Sequence, residues 1–144
     1  MKRRSITTHL IIHGSYTPPE MDIGVEEIRK WHTSPPNNWD DIGYHIVIRR
    51  DTTVEFGRPF DIQGAHAPPR NSQSVGICLV GGKDPGKKEW QINYSYPQLA
   101  RLAFVIDWLQ VYYPATIVTG HRDITSGRVC PGFNVAAWWA ARRP

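Results

Sequence analysis

Residues 74–80, Ser-Val-Gly-Ile-Cys-Leu-Val, form a near-continuous apolar run. It constrains the fold more than any other feature. The run is far below the ~18 residues of a membrane helix, and it reads as a strand covered on both faces. Residues 8–13 and 115–119 read as companion strands. Helical spacing marks 24–32, through Val25, Ile28 and Trp31–His32. It is strongest over 96–112, where Leu99, Leu102, Ile106 and Leu109 repeat at three and four behind Ser95 as a cap. Residues 43–50 alternate, placing Tyr44, Ile46 and Ile48 on one face and His45, Val47 and Arg49 on the other. Residues 53–56 can pair with them as a hairpin through Arg50-Asp51-Thr52. Residues 134–142 read as a terminal helix with Val135, Trp138 and Trp139 turned inward. Strands alternating with helices predict one sheet covered on both sides by helices, an α/β domain.

Charge and cysteine count narrow the function classes. Seventeen basic against thirteen acidic residues give a net charge of +4, which favours a polyanionic partner. The basic residues gather at the termini (Lys2, Arg3, Arg4; Arg142, Arg143) with no nucleic-acid motif around them, so solvated ends are expected and nucleic acid is not. Two cysteines allow at most one disulfide, and Cys78, inside the apolar run, reads as a buried thiol acting as a small hydrophobe. Met1-Lys2-Arg3-Arg4 is basic like a signal peptide, but the apolar run after it is short and opens with His9. No signal peptide and no membrane insertion are expected, so work outside the cytoplasm needs another route across the membrane.

Three residues carry the candidate chemistry. His13 ends the first predicted strand, His121 follows the run 115–120, and Cys130 comes nine residues later. Two imidazoles and a thiolate are donors zinc prefers, and three protein ligands leave a fourth position for water. An open zinc site suits hydrolysis. Functional groups in such folds gather at strand ends, so His13 and His121 would meet if their strands are neighbours. Spacing alone leaves a satisfied core histidine as the alternative.

The ordered series His13-Gly14-Ser15, Gly43-Tyr44-His45-Ile46-Val47-Ile48, Ser74 to Gly82, Gly120-His121-Arg122-Asp123 and Cys130-Pro131-Gly132 resembles the type-2 zinc N-acetylmuramoyl-L-alanine amidases. The animal peptidoglycan recognition proteins share that fold. The chain is most similar to the short amidase-type lysozymes, or endolysins, of T-odd coliphages, over roughly residues 8–139. The resemblance implies a central mixed β-sheet flanked by about three helices, in a single catalytic domain over 1–144 without a separate wall-binding domain. It implies one zinc per chain on His13, His121 and Cys130. It also implies that Tyr44 aims its hydroxyl at the reacting carbonyl, and that Arg128 stands where the phage enzymes carry a catalytic lysine. Arginine stays protonated, so Arg128 fits an electrostatic stabiliser rather than an acid. His66 and Trp39 are expected at the substrate groove, with a surface histidine and loop packing as the plain alternatives. His45 reads as structural.

The expected activity is cleavage of the amide between N-acetylmuramic acid and L-alanine in peptidoglycan. The expected setting is a monomeric phage or prophage endolysin, made in the host cytoplasm and acting on the wall after the membrane is opened. Two other readings stand beside it. One is a non-catalytic peptidoglycan-binding module, against which Cys130 argues because such binders commonly lack that cysteine. The other is the RNA polymerase binding of the coliphage lysozymes, for which no segment here marks a surface.

Overall fold

The computed structural model describes residues 1–142, so Arg143 lies outside the described residues. Among them the chain runs β1 (His9–Gly14), α1 (Val25–Thr33), β2 (Ile46–Ile48), β3 (Val54–Phe56), β4 (Ser74–Leu79), α2 (Tyr96–Tyr112), β5 (Ile117–Gly120) and α3 (Val135–Arg142). The strands form one mixed sheet in the order β3-β2-β4-β1-β5. β1 pairs in parallel with β4 and β5, β2 pairs in parallel with β4, and β3 closes the edge as the antiparallel arm of a hairpin.

β4 sits at the middle and is buried at every position, as its apolar composition demands. Its two faces supply two cores. Val75, Ile77 and Leu79 join Leu10, Ile12, Ile46 and Ile48 beneath Leu102, Ile106 and Leu109 of α2 and Val135 of α3. Cys78 joins Val47 and Val80 beneath Val25 and Ile28 of α1. α2 begins where Ser95 Oγ accepts from Gln98 N–H while Gln98 Oε1 accepts from Ser95 N–H. Such a cap contributes about 1 kcal/mol. Gln98 is itself buried, and its amide also reaches the carbonyls of Arg49 and Val80. No helix among the described residues is long and apolar enough to cross a membrane.

The alternation expected over 43–50 holds only for the strand proper. Ile46 and Ile48 face α2, but Tyr44 packs on the opposite cluster with Val47 and Cys78. Gly57 and Arg58 donate in succession to the carbonyls of His45 and Tyr44, at 2.9 Å each. A regular pleat turns successive N–H groups to opposite sides, so this pattern ends the ladder at Ile46 and swings Tyr44 to the α1 face. Glycine at 57 allows the close approach, since a Cβ there would lie 2.4 Å from the Tyr44 carbonyl oxygen.

Candidate active site

Strand register brings the first two candidate ligands together. Ile12 of β1 pairs with Gly120 of β5, so His13 and His121 emerge side by side at the C-terminal edge of the sheet. Their ring centroids are 4.6 Å apart. Beyond Gly120 the chain makes a short 3-10 turn, fastened by Asp123 accepting from Thr119 Oγ1 and Gly120 N–H. The Arg122 N–H donates to the Cys130 carbonyl at 2.8 Å, which folds the 121–130 segment back on itself. Cys130 Sγ then stands 3.8 Å from His13 Nδ1 and receives the Gly14 N–H at 3.3 Å. One donor atom from each of His13, His121 and Cys130 lies within 4.8 Å of the others.

This donor set fits zinc. Donors at 2.0–2.3 Å from a common ion in tetrahedral array lie roughly 3.3–3.8 Å apart, close to the separation found between His13 Nδ1 and Cys130 Sγ. Burial, with His66 and His121 close by, holds His13 well below the usual histidine range. Burial and the Arg128 charge lower His121 to about 4. Both imidazoles are therefore neutral at pH 7 with lone pairs to give. Burial pushes the Cys130 thiol up to about 12, opposed by the Gly14 N–H and the Arg128 charge. A thiolate at this position needs a cation beside it, and a divalent metal is one.

His13 and His121 line a cavity of about 400 Å³ together with Trp39, Tyr44, His66 and Arg128, among others, while Cys130 faces a second cavity that shares Tyr44, His121 and Arg128. The Tyr44 ring lies 5.0 Å from His13, with its hydroxyl against the Cys78 thiol. Burial and the neighbouring Cys78 and Cys130 raise its pKa well above the usual phenol value, so the hydroxyl is a donor at neutral pH. Arg128 is exposed at the rim, on the loop between His121 and Cys130. Trp39, 37% exposed, forms a wall and leans on His32. His32 Nδ1 accepts the Gly43 N–H, which ties α1 to the segment carrying Tyr44.

His66 is only 6% exposed. It stands at the cavity floor rather than on the surface, with Nδ1 2.8 Å from His13 Nε2 and Nε2 3.2 Å from Ser74 Oγ. His45 is fully buried, accepting the Gly76 N–H on Nδ1 and donating from Nε2 to the Ile62 carbonyl, a structural role. Sequence reasoning passed over Ser74, Asn71 and Thr125. Asn71 Oδ1 accepts from both His66 N–H and Ala67 N–H and so shapes the loop under the site. Thr125 Oγ1 lies 3.2 Å from His121 Nε2. The one sequence signal for this arrangement is Gly76, a glycine inside a buried strand, which marks a close approach by another group.

The sequence pattern of the N-acetylmuramoyl-L-alanine amidases matches residues 3–133. The chain is 41% identical to the endolysin of Klebsiella phage KP32 over 137 residues, covering 95% of this chain and 88% of that protein. It is 37% identical to the endolysin of Escherichia phage T7 over 138 residues, covering 96% and 89% respectively. Among solved structures, wild-type Drosophila PGRP-LB superposes with a TM-score of 0.80 at 27% identity, over 99% of this chain and 85% of that one. With one amidase pattern spanning sheet and site alike, and phage enzymes matched along nearly the whole length, the chain belongs to the N-acetylmuramoyl-L-alanine amidase family.

Proposed function

We propose that this amidase is a zinc endolysin. It hydrolyses the amide joining the lactyl group of N-acetylmuramic acid to L-alanine in peptidoglycan, with the metal held by His13, His121 and Cys130. The observation that carries the metal reading is the meeting of those three donors within 4.8 Å, two of them, His13 and His121, lining the cavity. Similarity to phage endolysins supports the setting, in which the enzyme is made in the host cytoplasm and reaches the wall once the membrane is opened.

Bound there, zinc supplies a Lewis acid that activates water and polarises the scissile carbonyl. The chain's own residues do the rest. Trp39 offers an apolar wall along the cavity. Tyr44 keeps its proton, and its hydroxyl would turn from the Cys78 thiol to donate to the oxygen that gains charge as the amide is attacked. Arg128 places a permanent positive charge at the same opening. Trp39, Tyr44 and Arg128 bind and orient, and Tyr44 keeps its proton at neutral pH.

Purified peptidoglycan should clear in a turbidity assay, with mass analysis showing intact stem peptides that begin at L-alanine. A chelator should stop the reaction and added zinc restore it, and metal analysis should give one equivalent per chain. Clearing that continues in excess chelator rejects the metal reading. Release of disaccharide fragments in place of stems rejects the bond assignment.

Tyr44→Phe and Arg128→Ala should each lower kcat by ~100-fold or more with a smaller change in KM, the usual consequence of removing one oxyanion donor. Arg128→Lys should keep activity, since lysine also carries positive charge. Wild-type turnover in Arg128→Ala would take that side chain out of the mechanism while leaving the ligands untouched.

A further inference from the structure

His66 is buried, titratable and absent from the ligand set, and its surroundings are built to hold it. Its ring fills the place where residue 76 of β4 would carry a side chain: a Cβ on Gly76 would fall 2.7 Å from both Cγ and Nδ1 of His66. A Cβ on Gly64 would fall 2.5 Å from its Cδ2. Two glycines thus clear a slot for one imidazole, and Asn71 pins the backbone at both 66 and 67.

The hydrogen bonds around this ring admit one direction only. The chain of contacts ends on the Arg70 carbonyl, which can only accept, so Ser74 Oγ–H must donate to it, at 2.8 Å. Ser74 Oγ has no second proton and therefore accepts from His66 Nε2–H. His66 Nδ1 is then a lone pair and accepts from His13 Nε2–H. His13 is left with its free lone pair on Nδ1, the nitrogen that faces Cys130. A parallel chain serves the other ligand. Thr125 Oγ1–H donates to the Pro68 carbonyl at 2.6 Å, so Thr125 Oγ1 accepts from His121 Nε2–H and Nδ1 of His121 is freed. Both chains end on backbone carbonyls of one loop, at Pro68 and Arg70.

We infer that His66 is a positioning residue for the metal centre, fixing the tautomer and ring plane of His13 through a directed relay from Ser74 and the Arg70 carbonyl. The inference rests on the zinc reading above for its consequence. Partners of this kind orient a ligand histidine and raise its basicity, and losing one typically costs ~10–100-fold in metal affinity.

The test compares His66→Leu, which fills the slot without an acceptor, with His66→Asn, whose Oδ1 falls where Nδ1 stood. Zinc affinity is measured by competition with a chromophoric chelator, and histidine tautomers are read from 15N spectra of the metal-free proteins. Wild type should show His13 protonated on Nε2. His66→Leu should lose ~10–100-fold in zinc affinity and show His13 in mixed tautomers, while His66→Asn stays within a few-fold of wild type. Equal losses in the two variants, zinc binding by His66→Leu within twofold of wild type, or a wild-type His13 protonated on Nδ1 would each overturn the inference. Should His66→Leu fail to fold, Ser74→Ala removes the acceptor of His66 Nε2–H and should weaken zinc several-fold, and unchanged affinity there overturns the relay. A wild-type protein that binds no zinc sinks the metal reading alone, since the tautomer spectra still decide the relay.

Discussion

Cys130→Ser is expected to reduce peptidoglycan hydrolysis below detection and to drop zinc content from one equivalent to a small fraction of it. A serine hydroxyl stays protonated at neutral pH and is a far poorer zinc ligand than a thiolate. The metal-free fold should survive, because the substitution is nearly isosteric and the Gly14 N–H that donates to Sγ at 3.3 Å can donate to Oγ instead. Zinc analysis, turnover and a thermal melt of the metal-free variant separate these effects. Near-normal turnover with a full equivalent of zinc still bound would remove Cys130 from the ligand set, and near-normal turnover with little metal bound would reject the metal mechanism itself.

Acid is expected to unfold the metal-free protein well above the usual carboxylate range. His13, His45 and His66 are buried and neutral, with burial as the leading cause of each lowered pKa. Their folded pKa values lie below the unfolded value of 6.5, so below pH 6.5 the unfolded chain binds more protons. The stability they contribute is complete above pH 6.5 and is lost as pH falls toward the folded values. For His45, lowered to about 4, the loss across that window is about 3 kcal/mol. His13 and His66 add losses of the same sign, against a total stability of ~5–15 kcal/mol for an ordinary domain. Thermal melts from pH 7.5 to pH 4.5 should show Tm falling steeply below pH 6. A flat Tm between pH 7 and pH 5 would mean that these imidazoles find partners for a second proton. Zinc should raise the curve at neutral pH and make the acid loss sharper, because its ligands must be deprotonated.

Periodicity along the chain makes much of this architecture legible. The span of α2 follows from its leucine and isoleucine spacing and from Ser95 and Gln98 at its start. The double burial of β4 follows from its composition. What periodicity does not supply is order across the sheet. β1 is first in the chain, yet it lies between β4 and β5, the last two strands, and that placement is what joins His13 to His121. The face of Tyr44 is unreadable from alternation because the pleat breaks between His45 and Ile46, a register event set by the backbone of Gly57 and Arg58 across the hairpin. Resemblance points to Tyr44, Arg128 and the three metal-binding candidates; the relay behind them is hidden from it. Ser74, Asn71 and Thr125 are ordinary polar residues in sequence, and only their hydrogen bonds distinguish them.

The two sides of the candidate metal site are anchored very differently. His13 belongs to a strand hydrogen-bonded on both edges, whose amides should exchange with solvent only when the whole domain opens. Cys130 ends a segment whose residues 126–129 are exposed, and Gly127 there has a positive φ with open space around it. The Arg122 N–H bond to the Cys130 carbonyl closes this segment on itself, and the Thr125 hydroxyl on the Pro68 carbonyl, the Gly14 contact to sulfur and the Tyr94 hydroxyl on the Pro131 carbonyl fasten it to its neighbours. An ion at this site would be gripped by a strand on one side and a looped segment on the other, and substitutions in the exposed 126–129 stretch should tune its affinity without touching the stability of the sheet.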